Sequence, residues 1–99
     1  MYEIYNEEAE QAVLGSLLID PELIDRVSER LKPEDFYRKA HRILFQAFIS
    51  LREAQKPIDH VTITELLHEK KKIKEVGDVP YLNELIAAVP TTARVDYYV

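Results

Sequence analysis

Between Arg38 and Ala54 the chain reads RKAHRILFQAFISLREA, a helix with little surface to give to water. Ala40, Ile43, Leu44, Ala47, Phe48 and Leu51 recur at helical spacing, and Phe45 and Ile49 widen the stripe. A helix apolar around most of its circumference is a central one and has to be wrapped on several sides. No stretch alternates apolar and polar residues for long enough to make strands, and glycine stands only at positions 15 and 77. The wrapping therefore falls to other helices. The expected class is all-α, a compact orthogonal bundle of about five helices plus the start of a further one.

The flanking segments mark most of their own boundaries. Asn6 reads as an N-cap, with Glu7 and Glu8 in a first turn whose dipole favours negative charge. Ala9, Ala12, Val13, Ser16 and Leu17 then form one apolar stripe and Leu14 and Leu18 a second, with Gly15 inside the helix where a neighbouring helix comes close. In IDPELIDRVSERLKP, Asp20 is the expected cap and Pro21 the first helical residue; Leu23, Ile24, Val27 and Leu31 are the buried face, and Pro33 is the stop. The EDFY turn is expected to plug the core with Phe36 and Tyr37, and AQKPIDH links the central helix to the next. There Thr62 and Glu65 match a capping box, Val61 and Leu66 a hydrophobic staple, and Ile63, Leu66 and Leu67 face inward. Gly77 is expected to close that segment in a left-handed conformation. Asp78 caps the last helix, which buries Leu82, Leu85, Ile86 and Val89.

Ninety-nine residues hold one core. The absence of cysteine removes disulfides, thiolate ligands and a cysteine nucleophile, which fits an intracellular chain. The N-terminal MYEIYNEEAEQ is acidic, unlike a signal peptide, and no apolar run approaches a membrane span. A soluble cytoplasmic domain without membrane contact is the expectation. Net charge is −5, unevenly spread: residues 1–35 carry ten acids and three bases, and residues 36–75 five acids and nine bases. An acidic chain repels the phosphate backbone.

Candidate chemistry is sparse. With two glycines, neither G-x-x-x-x-G-K-[ST] nor G-x-G-x-x-G can be written. Glu65, His68 and Glu69 lack the further convergent ligands of a metal site, and no Ser/His/Asp set is suggested by spacing. The carboxylate pairs Glu7/Glu8 and Glu34/Asp35 sit where acids serve helix starts and turns. His41, among apolar residues on the central helix, reads as a hydrogen-bonded structural histidine. EKKKIK, Glu69 to Lys74, reads first as a solvated helix end. The six tyrosines are more telling: Tyr2, Tyr5, Tyr97 and Tyr98 lie near the two ends and Tyr81 on the first turn of a helix, and tyrosine is enriched at protein interfaces.

Taken in order, EEAEQAVLGSLLIDP, LKPEDFYRKAHRILFQAF, PIDHVTITELL and VGDVPYLNELIAAVPTTARVDYY resemble the N-terminal head domain of DnaB-type replicative DNA helicases, over nearly the whole chain. Where members of that family often carry Gly-Gly, this chain has Gly77-Asp78. The resemblance implies a non-catalytic head at residues 1–90. Residues 91–99, TTARVDYYV, would then begin a helical hairpin. In the family, six heads form a collar above a motor ring that uses ATP and Mg and moves 5'-3' on single-stranded DNA. The head itself needs no cofactor and meets DNA only through the motor. Implied partners are the C-terminal domain of primase, neighbouring helicase subunits and a helicase loader. The likeness of GDVPYL, Gly77 to Leu82, to the family pattern points to Tyr81 as primase-facing, with Asp78 and Glu84 beside it, and Tyr97 and Tyr98 join them as partner-binding candidates. The competing reading is a small helical nucleic-acid-binding domain using Arg38, Lys39, Arg42 and the lysines at 70–74.

Overall fold

A computed structural model describes residues 7–89. The expected cap at Asn6, the tyrosines at 2, 5, 97 and 98, and the helix start at 91–99 lie outside the described residues. Five α-helices follow in order: α1 (Glu7–Ile19), α2 (Leu23–Val27), α3 (Lys39–Glu53), α4 (His60–Glu69) and α5 (Asp78–Ala87). Two single 3-10 turns, Pro33–Asp35 and Lys74–Val76, lie between them. Among the described residues there is no strand.

The position of α3 is what its composition demands. It packs on α1, α2, α4 and both 3-10 turns, while α1 and α5 lie against each other. Leu44, Phe45 and Phe48 have no exposed surface, and Phe36 tilts against Phe45 with ring centroids 5.0 Å apart. Each such side chain contributes roughly 2–3 kcal/mol by leaving water. Gly15 is required by the α1–α5 approach: a Cβ there would lie 2.1 Å from the Leu85 carbonyl oxygen.

Several boundaries differ from the sequence expectation, each for a visible reason. Asp20 and Pro21 form a backbone turn, their carbonyls accepting from Leu23 and Ile24 N–H, so α2 starts two residues after the proline. Tyr37 is 73% exposed and does not plug the core; Phe36 alone does, because the chain turns outward between them. The capping box before α4 is Asp59 and Thr62, not Thr62 and Glu65. Asp59 Oδ1 accepts from Thr62 N–H at 2.9 Å and Asp59 N–H donates to Thr62 Oγ1 at 3.0 Å. Aspartate is at least as good a cap as threonine, so the earlier site wins. The helix then starts at His60, Val61 is left 63% exposed, and Ile58 and Ile63 take the buried positions flanking the cap. Ile86 is also on the surface, at 36% exposure.

The ends of α3 and α4 explain a further difference. Lys72 N–H bonds the Leu67 carbonyl and Lys71 N–H that of His68; likewise Lys56 reaches Leu51 and Gln55 reaches Arg52. This is the double hydrogen-bond pattern of a Schellman cap. Its left-handed position is held by Lys71 (φ 60°) and Gln55 (φ 59°). The α4 segment thus closes at Lys71, six residues before Gly77. Gly77 (φ 98°) closes the 3-10 turn at 74–76 instead, and Asp78 follows it in the left-handed region at φ 65°.

Candidate interaction site on the fifth helix

The described residues that carry the most unusual chemistry meet where α1, α3 and α5 converge. Glu10 belongs to the first turn of α1, yet its side chain is completely buried. It is held there by the start of α3, which has no side-chain cap of its own. Glu10 accepts from Tyr37 N–H at 2.5 Å, from Arg38 N–H at 3.4 Å and from His41 Nδ1 at 2.6 Å. A carboxylate at the positive end of a helix dipole, with three donors, is a buried charge with its partners in place.

His41 carries the chain onward, its Nε2 lying 2.6 Å from the Tyr81 hydroxyl. That hydroxyl oxygen already accepts from Arg38 NH1 and Gln11 Nε2, both at 3.2 Å. Its own proton therefore goes to His41 Nε2, which fixes the imidazole as neutral with its single proton on Nδ1 facing Glu10. The acid–base balance agrees. Burial lowers the His41 pKa below 6.5 by opposing the imidazolium, outweighing the hydrogen bond and charge of Glu10, which pull it up. The two rings lie almost parallel, and the Arg38 guanidinium sits 5.6 Å from the Tyr81 ring centroid while pairing with Glu7 at 2.6 Å.

Carboxylate, imidazole and hydroxyl in series is the order of a hydrolytic relay. Here both lone pairs of the hydroxyl are taken by Arg38 and Gln11, so it has none to offer a substrate. The arrangement fixes a side chain in place. His41 is the hydrogen-bonded structural histidine that its setting in the sequence suggested. The burial of Glu10 carried no such signal, since an acid in a first turn reads as a surface group, and its partners are 27 to 31 residues away.

The partner-binding candidates divide. Asp78 and Glu84 are exposed and Tyr81 is half-buried, and their three-residue spacing puts each on the turn after the last along α5. Asp78 Oδ1 also serves its own turn, accepting from Val79 N–H at 2.7 Å. Tyr97 and Tyr98 lie outside the described residues. The basic candidates divide as well: Arg38 joins the Tyr81 network, whereas Lys39, Arg42, Lys70 and Lys72 line one groove between α3 and α4. Among the described residues no three His, Asp or Glu side chains come together as a metal site, and no helix is long and apolar enough to cross a membrane.

Comparison with known proteins places this geometry. The family model described as DnaB-like helicase N terminal domain matches residues 2–99. The chain is 48% identical over 91 residues to the replicative DNA helicase DnaB of Geobacillus stearothermophilus, covering 92% of this chain and 20% of that one. The chain thus spans about a fifth of that relative's length. The crystal structure of the N-terminal domain of DnaB helicase from Mycobacterium tuberculosis is similar with a TM-score of 0.89 at 39% identity. That match covers 98% of this chain and 67% of the other. A DnaB-like replicative helicase, solved with attention to its interactions with primase, is similar with a TM-score of 0.83 at 35% identity, covering 94% and 22%.

Proposed function

The chain belongs to the DnaB-like helicase N-terminal domain family, and from that membership we propose that it is the non-catalytic, partner-holding part of a replicative helicase at work in the cytoplasm. One partner is the C-terminal domain of primase, docked on α5 at Asp78, Tyr81 and Glu84. Tyr97 and Tyr98 are further partner-binding candidates, and neighbouring subunits and a loader in a hexameric collar are the other partners. ATP and Mg binding, and movement 5'-3' along DNA, belong to a motor domain of the longer protein.

The observation that carries this reading is the anchoring of Tyr81. Its hydroxyl is tied to His41, Arg38 and Gln11, so the ring is already ordered before a partner arrives. Tyrosine is a favoured interface anchor, and ordering it in advance removes part of the entropy cost of association. Asp78 and Glu84 beside it offer acidic contacts to a basic partner surface.

Calorimetric titration with a primase C-terminal domain tests the proposal. Weak binding is expected, in the high micromolar range, because a single helix face is smaller than a standard interface. Reversing charge at the exposed positions, Asp78→Lys with Glu84→Lys, should weaken it by roughly fivefold or more. Unchanged affinity in that variant, or no heat at millimolar concentration, would overturn the proposal.

A further inference from the structure

On the opposite side of α3 lies a groove of about 360 Å³, walled by α3 and by α4 with the turn after it. Ile43, Ala47 and Leu67 give it an apolar floor, and Gln46 and Ser50 add neutral polar edges. Its rim is cationic at Lys39, Arg42, Lys70 and Lys72, in a chain whose net charge is −5. The one carboxylate paired with that rim among the described residues is Glu75, 3.2 Å from Lys39. Arg42 donates to the Phe36 and Tyr37 carbonyls at 2.9 and 2.8 Å, which neutralises no charge. Lys70 and Lys72 are exposed and form no ion pair among the described residues.

We infer that this groove is a second docking site, for a short acidic segment of a partner protein that carries one or two large apolar side chains. The volume suits such anchors and is at the small end for a ligand pocket. The rim is complementary to flanking Asp and Glu, which would speed encounter and set the register. A nucleic acid fits less well. The groove has no aromatic ring on which a base could stack, and Arg42, its one guanidinium, is turned to main-chain carbonyls. This site stands apart from the α5 face and does not depend on the primase reading.

The probe is a fluorescein-labelled peptide, Glu-Asp-Leu-Glu-Phe-Asp-Glu, followed by anisotropy against the whole 99-residue chain. Binding should saturate, and it should fall roughly tenfold or more in a Lys70→Glu, Lys72→Glu variant, where like charges now face the ligand. Gln46→Trp, which fills the groove from an exposed position, should reduce it comparably. Far-ultraviolet dichroism confirms that both variants fold. A peptide with Leu and Phe replaced by Ser should fail to bind. Equal binding of that Ser peptide would overturn the proposal, because charge alone would then explain the affinity. Absence of saturation would overturn it too, as would groove-dependent binding of a thymidine oligonucleotide in place of the peptide.

Discussion

The two sides of α3 treat charge in opposite ways. Toward α1 and α5, Glu10, His41, Tyr81, Arg38 and Glu7 bind one another, and among the described residues no buried side-chain nitrogen or oxygen lacks a partner. Toward α4, the cations stand around an apolar groove and Lys70 and Lys72 point to solvent. The first side uses polar groups to hold three helices in register, and the second leaves them for something else to meet. A buried network is costly to disturb, because each orphaned group carries its full desolvation penalty. A solvated rim is cheap to change, and changes there act on binding before stability.

The comparison breaks most readily at Glu10. Glu10→Ala removes the acceptor of His41 and of the Tyr37 amide together, and should lower unfolding free energy by about 3 kcal/mol in urea denaturation. A loss near that of an exposed surface residue would mean the network does not hold the helices. Gly15→Ala drives a methyl group against the Leu85 carbonyl and should cost about 2 kcal/mol, since a backbone atom cannot step aside cheaply. It also moves α5 from α1, so the tyrosine emission attributable to Tyr81 should change with it.

A smaller effect follows from His41. Its pKa in the folded protein lies below 6.5, so near and just below that pH the unfolded chain binds the extra proton. Stability is then full above pH 6.5 and is lost as pH falls from there toward the folded-state pKa. Urea midpoints between pH 7.5 and 5.5 should show the decline, and His41→Gln should flatten it. The smallest expected change sharpens the other side of the comparison. Gln55→Gly and Lys71→Gly, at the left-handed ends of α3 and α4, should each stabilise by about 0.5 kcal/mol or slightly more.

Those last two positions show why parts of the fold were legible in the sequence and others were not. Helical periodicity was enough to identify α3 as the central element, because its apolar side chains must be covered by neighbours. A glycine inside the apolar stripe of α1 was enough to mark Gly15 as a close approach. Helix ends are read from glycine, and two of them here use Gln55 and Lys71, whose strain is offset by paired backbone hydrogen bonds. The cap before α4 was misplaced because Thr62 fits two overlapping boxes, and only the extended backbone at Asp59 decides between them. At the site, Tyr81 and His41 were each singled out, but nothing in their spacing of 40 residues linked them. Glu10 was hidden for the same reason: its burial depends on where α3 begins.

The anchored face of α5 and the cationic groove are proposed as separate docking surfaces on one domain. Two-dimensional NMR of the ¹⁵N-labelled chain during titration with a primase C-terminal domain tests this proposal most directly. Shifts are expected to concentrate on Asp78, Tyr81 and Glu84 and on His41 behind them, with Gln46, Lys70 and Lys72 unmoved. Shifts confined to the groove, with α5 unperturbed, would contradict it.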